Sequence, residues 1–332
     1  MPVTLPGILD NIELEMTQLI YEAAHKPTIY FIGVTTLKSS IMKVFPEWAK
    51  YLQLGDCQIK GMDFKWHDEP ERYRCAVQFI KEDPLSLGSL VTTHKLDLLK
   101  ACRDQFEIVD EYAELMEEIS SISKRDHKLV GHAKDPISCG LALEAFLPAN
   151  YWKETGAEVL VLGAGGSSIA ITWYLMKQTH ANNRPARIIV TNRTIPRLEQ
   201  MKDIHKRLGA NIPVEYHHTP NPETSDHICC QLKPGSLVIN ATGLGKDAPG
   251  SPLTDAAQFP ENGIAWDFNY RGDLLFLDQA RAQSERRHLT VEDGWIYFLH
   301  GWTRVIAEVF HVHIPTAGLV FDELSRIAAG VR

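Results

Sequence analysis

Short runs of apolar residues recur along the chain, and segments with helical spacing of apolar positions separate them. Runs of this kind, closed by polar or glycine-rich turns, are typical of strands covered on both faces of a parallel sheet. In the first 130 residues the predicted strands are 28–34, 57–64 and 89–93, and the predicted helices are 8–25, 41–54, 68–81, 96–106 and 112–119. This alternation predicts a small α/β domain at the start of the chain.

The same alternation continues after a short strand at 128–131. The predicted strands are 159–162, 187–190, 214–216, 237–240 and 264–268, with helices at 138–147 and 274–286. Strands that alternate with helices in this way predict a Rossmann-type, doubly wound parallel sheet. Two amphipathic segments, 295–311 and 317–329, have no strand left to pair with. We therefore expect an α/β domain over 1–136, a doubly wound domain over 137–292, and C-terminal helices over 293–332 that pack back on the first domain.

A glycine-rich turn, Gly163-Ala164-Gly165-Gly166-Ser167, directly follows the strand at 159–162 and opens a helix. Glycines allow backbone dihedrals closed to other residues and leave room for a pyrophosphate against the backbone. Ser167 and Ser168 can cap the helix, whose positive end then faces the phosphates. The pattern predicts dinucleotide binding, although it departs from a strict G-x-G-x-x-G. The alternative is a tight strand-to-helix turn without a ligand.

The strand at 187–190 runs into Asn192, Arg193 and Thr194. In a dinucleotide fold an acidic residue at this place bonds the ribose 2′-hydroxyl, whereas an arginine suits a 2′-phosphate. These three residues, with Arg197 beside them, indicate NADP rather than NAD. The alternative is that both arginines are ordinary surface charges at the start of a helix.

Composition narrows the class of protein without changing this interpretation. A formal net charge of -8 and a pI near 6.0 argue against nucleic acid or an anionic membrane as the main partner. The sequence shows no leader pattern and no apolar run that could cross a membrane, so we expect a cytoplasmic protein. The 6 cysteines include no C-x-x-C pair, which favours reduced thiols, and the 14 histidines show no zinc-ligand spacing. No metal site is predicted.

Taken in order, these motifs resemble those of the shikimate dehydrogenase family, which includes shikimate and quinate dehydrogenases, over most of the chain. Val91-Thr92-Thr93-His94-Lys95 resembles the family's V-T-x-P-x-K, one residue short and without the proline. Ala133-Lys134-Asp135 resembles its N-T-D motif. The stretch 239–245, Asp267 with Tyr270, and Asp293 with Gly294 resemble its later motifs.

The resemblance implies an NADP-dependent oxidoreductase that transfers a hydride between NADP(H) and a secondary alcohol or ketone of a small polyhydroxylated ring. It makes 137–292 the NADP-binding domain and 1–136, with the C-terminal helices, the substrate-binding domain, with the cleft between them. Lys95 and Asp135 fall on the family's catalytic residues. Besides the glycine turn and the stretch after the second strand, the resemblance adds four cofactor-binding residues: Asn240, Ala241, Thr242 and Gly294.

A lysine and a carboxylate also suit this chemistry on physical grounds. Oxidation of an alcohol needs a hydride acceptor and a base that takes the hydroxyl proton. Burial makes a lysine easier to deprotonate, while a neighbouring carboxylate orients it and stabilises its charged form. The alternatives are that Lys95 is a solvated residue at a helix start and that Asp135 caps the following helix.

The family's substrate-holding positions are only partly kept. Ser39 falls on the first serine of its S-x-S motif, but Ile41 stands in place of the second. Ser123 stands where the family has an asparagine, and Gly301, or His300 with a shift of one residue, where it has a glutamine. The predicted substrate-binding residues are Ser39, Thr92, Ser123, Tyr270 and His300.

These departures predict poor activity on shikimate and better activity on a ring with other substituents. The same fold could act on a non-shikimate cyclitol or on an amino analogue. An alternative from another class is a nucleotide-sensing protein without turnover. In each case we expect a monomer or homodimer that binds a small cyclic polyol or hydroxy acid.

Overall fold

The structure is a computed structural model that describes residues 21–126, 128–177, 180, 182–209 and 212–331. The chain divides into two compact units. Unit 1 comprises Met1–Ala133 and Val305–Arg332, and unit 2 comprises Lys134–Arg304. The boundaries predicted from the sequence lie at 136/137 and 292/293. Most of the helix predicted over 8–25 lies outside the described residues.

The sheet of unit 1 mixes parallel and antiparallel strands. Its strands are β1 (Thr28–Gly33), β2 (Gln58–Asp63), β3 (Ser86–Val91), β4 (Ile108–Val109), β5 (Ser121–Arg125) and β6 (Lys128–His132). They are ordered β2-β1-β3-β5-β6-β4, with β5 antiparallel to both its neighbours and the other pairs parallel. All six residues of β1 are buried, as expected for a strand inside a sheet covered on both faces. The unit 1 helices before residue 133 are α1 (Ile41–Tyr51), α2 (Pro70–Glu82), α3 (Lys95–Cys102) and α4 (Glu111–Met116).

The sheet of unit 2 is parallel throughout. Its strands are β7 (Val159–Leu162), β8 (Ile188–Asn192), β9 (Val214–His218), β10 (Leu237–Asn240), β11 (Ile264–Asp267) and β12 (Thr290–Glu292). They are ordered β12-β11-β10-β7-β8-β9, which is the doubly wound order that the sequence predicts. The strand order reverses between β7 and β10, and ligands of such sheets bind beyond the carboxyl ends of the strands at that point.

Helices connect these strands and fill the core. They are α5 (Asp135–Phe146), α6 (Tyr151–Thr155), α7 (Gly166–Met176), α8 (Ile195–Leu208), α9 (Pro222–Cys229), α10 (Leu275–Arg281) and α11 (Ser284–Arg287). Helices α5 and α7 pack so closely that a Cβ on Gly140 would lie 2.3 Å from the Tyr174 ring. On the other side, Leu160, Val238 and Phe276 belong to one buried apolar cluster.

The chain ends with α12 (Trp295–Val309) and α13 (Leu319–Ala329). Helix α12 crosses the boundary between the two units, which lies at 304/305. The boundary predicted from the sequence motifs, at 292/293, lies before this helix. Within unit 1, α13 packs on α1, and the Trp48 indole Nε1 donates to the Leu324 carbonyl at 2.8 Å. Over the described residues, none of the helices combines the length and apolarity needed to cross a membrane.

Candidate active site

The glycine turn of unit 2 begins where β7 ends. Gly163 has φ +110°, a conformation that residues with a side chain rarely adopt. A Cβ there would lie 3.1 Å from the Ala241 carbonyl oxygen and 3.2 Å from Thr242 Cγ2. The Ala241 amide in turn donates to the Leu162 carbonyl at 3.0 Å. Gly163 therefore lets the ends of β7 and β10 approach each other at the point where the strand order reverses.

The rest of the turn leaves space in front of a helix. Ala164 is buried, Gly165 is the N-cap residue of α7, and Gly166 begins the helix. A Cβ on Gly165 would meet no atom within 4 Å, so the backbone there faces open space. Ser167 is half-buried in the first turn. The unpaired N–H groups and positive end of an eleven-residue helix at this place can hold a pyrophosphate.

The residues that follow β8 differ in their exposure and in their hydrogen bonds. The Asn192 side chain donates to Thr194 O and Oγ1, both at 3.0 Å, and so shapes the turn. The Arg193 side chain is exposed, while the Arg193 carbonyl accepts from His218 Nε2 at 3.0 Å. Arg197 is half-buried and donates to Gln200 at 3.0 Å. Of the two arginines, Arg193 is therefore the better placed to receive an anion from solvent.

Two buried residues brace the end of β10. The Asn240 side chain is fully buried, donates to Asp267 Oδ2 at 3.0 Å and accepts from Thr242 Oγ1 at 2.6 Å. Asn269, which the sequence motifs do not single out, donates to the carbonyls of Thr242 and Leu244, each at 3.1 Å. Asn240 thus acts as a frame for Ala241 and Thr242, which are half-buried. Its predicted direct contact with a cofactor has no support from this placement.

Asp267 lies at the centre of that frame. Burial raises the pKa of its carboxyl to about 7, although hydrogen bonds from the Asn269 amide and the Asn240 side chain lower it. Gly294 packs directly against the backbone that follows Asp267, because a Cβ there would lie 2.1 Å from the Phe268 carbonyl oxygen. Close backbone packing therefore requires a glycine at position 294. This requirement by itself accounts for the residue type, whether or not Gly294 contacts a cofactor.

Asp135 begins α5 and is buried. The Tyr297 hydroxyl donates to Asp135 Oδ2 at 2.8 Å, and the Tyr297 ring packs against Phe268 with centroids 4.9 Å apart. Tyr297 is not among the residues that the sequence predicts. The sequence offers one indication of its role, namely its position about one helical turn after Gly294. A charge-assisted bond of this kind fixes the orientation of a carboxylate.

Three further predicted positions lie in unit 2 around α12. Tyr270 is half-buried and packs against Trp295 and Phe298, with centroids 5.4 and 4.6 Å apart. His300 is buried, and burial, with the charge of Arg304, lowers its pKa to about 4. His300 is therefore a neutral imidazole at neutral pH. A Cβ on Gly301 would face open space.

Lys95 lies in unit 1, as the first residue of α3. The chain reaches it through Thr93, which has φ +56°, and through His94, whose Nδ1 lies 2.9 Å from the Tyr73 hydroxyl. Lys95 is only 7% exposed, which contradicts the alternative of a solvated lysine. Thr92 is half-buried just before it, and its amide donates to the Ile32 carbonyl at 3.0 Å.

The loop with Ser39 is held by Asp63, another residue that the sequence motifs do not single out. Asp63 Oδ1 accepts from the Thr36 amide at 2.8 Å and from the Thr36 hydroxyl at 2.5 Å. Ser39 is buried, and its amide donates to the Thr36 carbonyl at 3.0 Å. Ile41 is fully buried in the apolar core.

Ser123 lies inside the sheet of unit 1. It is fully buried in β5, and its hydroxyl lies 2.8 Å from His132 Nε2. His132 in turn lies 3.3 Å from Asp110 and 3.4 Å from Glu308. Ser123 is thus part of a buried polar network, and its role in substrate binding stays a prediction. Motif spacing along the chain could not predict these surroundings of Ser123, because they depend on which strands pair with β5 in the folded sheet.

Metal-binding clusters of three or more His, Cys, Asp or Glu are absent from the residues that the structure describes. The six cysteines, all within the part of the chain that the structure describes, are not joined in disulfides.

Comparison with known proteins places the chain among distant relatives. No known protein-family model matches it. A protein named shikimate dehydrogenase (NADP(+)) from Streptococcus thermophilus is 26% identical over 176 residues, which are 52% of this chain and 56% of that relative. One of the same name from Lactococcus lactis is 24% identical over 67% of this chain and 73% of its own length. The match to the first of these relatives thus spans little more than half of that relative's length.

A solved structure supports the same fold. Shikimate dehydrogenase 1 from Peptoclostridium difficile aligns with a TM-score of 0.67 at 16% identity, covering 91% of this chain and 97% of that one. At this identity the likeness concerns the fold, namely two α/β units of which one is doubly wound.

Proposed function

We propose that this chain, a divergent member of the shikimate dehydrogenase family, is an oxidoreductase that uses NADP to oxidise a secondary alcohol of a small polyhydroxylated ring, or to reduce the matching ketone. The observation that carries the proposal is the glycine turn, open in front of α7, with an exposed arginine just past the end of the neighbouring strand β8.

The residues of unit 2 fit the nucleotide. The backbone from Gly163 to Gly166 and the start of α7 would hold the pyrophosphate, and Arg193 with Thr194 would hold the 2′-phosphate. Both groups are anionic, and both places offer N–H donors or positive charge. Bound NADP supplies the hydride acceptor for alcohol oxidation and, when reduced, the hydride for ketone reduction.

In this proposal Lys95 and Asp135 carry out the proton transfer. The neutral Lys95 amine takes the proton of the substrate hydroxyl as the carbonyl forms, and the Lys95 ammonium returns it in the reverse direction. The family resemblance gives Asp135 the role of the carboxylate partner in this proton transfer. The Tyr297 hydroxyl holds one oxygen of Asp135 and so keeps the carboxylate in a fixed rotamer.

The test is turnover. Purified protein with NADP and a panel of shikimate, quinate, an amino analogue and an uncharged cyclitol should form reduced nicotinamide, followed by its absorbance, with at least one ring. NADP binding without turnover on an extended panel of cyclic polyols would favour the nucleotide-sensing alternative. Absence of NADP binding would contradict the proposal itself.

A second candidate keeps the chemistry but changes the ring. Ile41 is buried in the core and offers no hydroxyl, and Gly301 has no side chain at all. A site that leaves a buried polar group of its ligand unpaired loses about 1 to 3 kcal/mol for each such group. We therefore expect kcat/KM to be lower for shikimate than for a ring that lacks or replaces the carboxylate. The highest kcat/KM on shikimate would exclude this second candidate.

A further inference from the structure

Glu118 is a buried acid in unit 1 to which neither the sequence nor the proposed mechanism assigns a role. It is 0% exposed, and neither of its carboxyl oxygens has a hydrogen-bond partner within the described part of the chain. A buried carboxylate without compensation is costly, and a protein that only needed to fill this space could use an apolar side chain. The position therefore calls for a functional explanation.

The backbone places Glu118 beside Lys95. The amide of the next residue, Ile119, donates to the Lys95 carbonyl at 3.2 Å, and the Glu118 amide donates to the Ala113 carbonyl at 3.2 Å. The segment thus joins the start of α3 to the end of α4. The side chains of Glu118 and Lys95 are both buried, so little solvent screens their charges from each other.

Two charged groups act on the Glu118 carboxyl. Burial raises its pKa, the charge of Lys95 lowers it, and Asp110 raises it. Asp110 is itself engaged, because it accepts from the Ala113 amide at 2.7 Å and faces His132 Nδ1 at 3.3 Å. Lys95 is therefore the positive group that acts on Glu118, and the interaction is reciprocal.

We propose that Glu118 is a positioning residue for Lys95, whose charge it stabilises so that the pH at which Lys95 becomes a base is set by this buried pair. This inference rests on the proposed function of Lys95. In the charged state of the pair the Lys95 ammonium is balanced by the Glu118 carboxylate, and loss of the ammonium proton gives the amine that acts as the base.

The experiment compares wild type with Glu118→Gln, which keeps the size of the side chain and removes its charge. The pH titration of Lys95 is followed by the NMR shift of its ¹³Cε, assigned with Lys95→Arg. Since a neighbouring opposite charge shifts such a titration by about 1 to 3 units, Glu118→Gln should move the midpoint down by this amount. The pH limb of kcat/KM for alcohol oxidation should move in the same direction.

Glu114→Gln is the matched control. It removes the same charge four residues earlier, from an exposed side chain that pairs with Arg103, and should leave the Lys95 midpoint unchanged. Glu118→Met provides a second uncharged variant if the amide does not fold, and it should show the same shift. A Lys95 midpoint equal to that of wild type in the folded variant would overturn the inference. The NMR titration needs no turnover. A protein that is inactive on every ring would therefore contradict the proposed function, but the effect of Glu118 on the Lys95 titration could still be measured.

Discussion

In the proposed function, the preference for NADP over NAD depends on Arg193. Its side chain is exposed, whereas the neighbouring Arg197 is engaged by Gln200. A hydrogen bond to a charged group contributes about 1.5 to 3 kcal/mol, so Arg193→Ala should raise the Kd for NADP roughly tenfold or more and leave the Kd for NAD nearly unchanged. Both constants can be measured by calorimetry.

Arg197→Ala is the control for that measurement and should have a smaller effect on NADP. Equal weakening of NADP and NAD by Arg193→Ala would remove Arg193 from the 2′-phosphate site. A wild-type protein that prefers NAD would have the same consequence.

At this scale the sequence predicts residues on the ends of strands better than residues inside the sheet. Gly163, Gly165 and Arg193 lie just beyond strand ends, as their motifs predict, because the chain between strand and helix is short. The surroundings of Ser123 could not be predicted, since they depend on β5 pairing with β3 and β6. Tyr297 and Asn269 could not be predicted, because their partners are 162 and 27 residues away.

At the scale of elements, a chain of three side chains joins α7, α8 and β9. His205 Nδ1 lies 2.7 Å from the Tyr216 hydroxyl, and Nε2 lies 2.8 Å from the Thr172 hydroxyl. Thr172 also donates to a helix carbonyl, that of Ser168, at 2.7 Å. A neutral imidazole with the proton on Nε2 satisfies all of these bonds, and burial lowers the pKa of His205 to about 4.

Because the pKa of His205 is lowered in the folded protein, the free energy of unfolding depends on pH. The unfolded chain, with an ordinary histidine pKa near 6.5, binds more protons than the folded chain between pH ~6.5 and ~4. The stability from neutral His205 is thus complete above pH ~6.5 and is lost as the pH falls toward ~4, by on the order of 3 kcal/mol. His205→Gln should be less stable than wild type at pH ~8, with a difference that shrinks as the pH falls through this range.

Urea unfolding at several pH values measures this difference. His227→Gln changes an exposed histidine and should follow the wild-type pH profile. Asp267 contributes with the opposite sign between pH ~4 and ~7, but it is common to all three proteins and cancels. A difference between wild type and His205→Gln that stays constant with pH would contradict the neutral assignment.

In unit 2 the strands β7, β8, β10 and β11 follow the sequence closely, because nearly all of their residues are buried and the apolar runs predict them directly. The edge strands β9 and β12 are only partly buried, and the apolar pattern does not predict β12. Strand β5 in unit 1 escapes the same reasoning, because Ser121 and Ser123 are buried polar residues that break the apolar run. Its antiparallel pairing is also a property of the whole sheet.

For the whole molecule, the length allows two domains, the alternation of strands and helices predicts an α/β class, and the order of motifs predicts which part binds the nucleotide. The unit boundaries at 133/134 and 304/305 could not be read from the motifs, since α12 contributes residues to both units. The division also assigns Lys95 to unit 1 and the glycine turn to unit 2. In the proposed function, the base Lys95 and the nucleotide-binding turn therefore belong to different units of the chain.

That claim is tested most directly by Lys95→Ala, assayed for both NADP binding and the rate of the chemical step on the best ring of the panel. Lys100→Ala, an exposed lysine on the same helix α3, is the matched control. Loss of a positioned acid or base typically lowers the rate by about 10²- to 10⁴-fold, and we expect Lys95→Ala to do so with an unchanged Kd for NADP. Turnover by Lys95→Ala at nearly the wild-type rate would contradict the account.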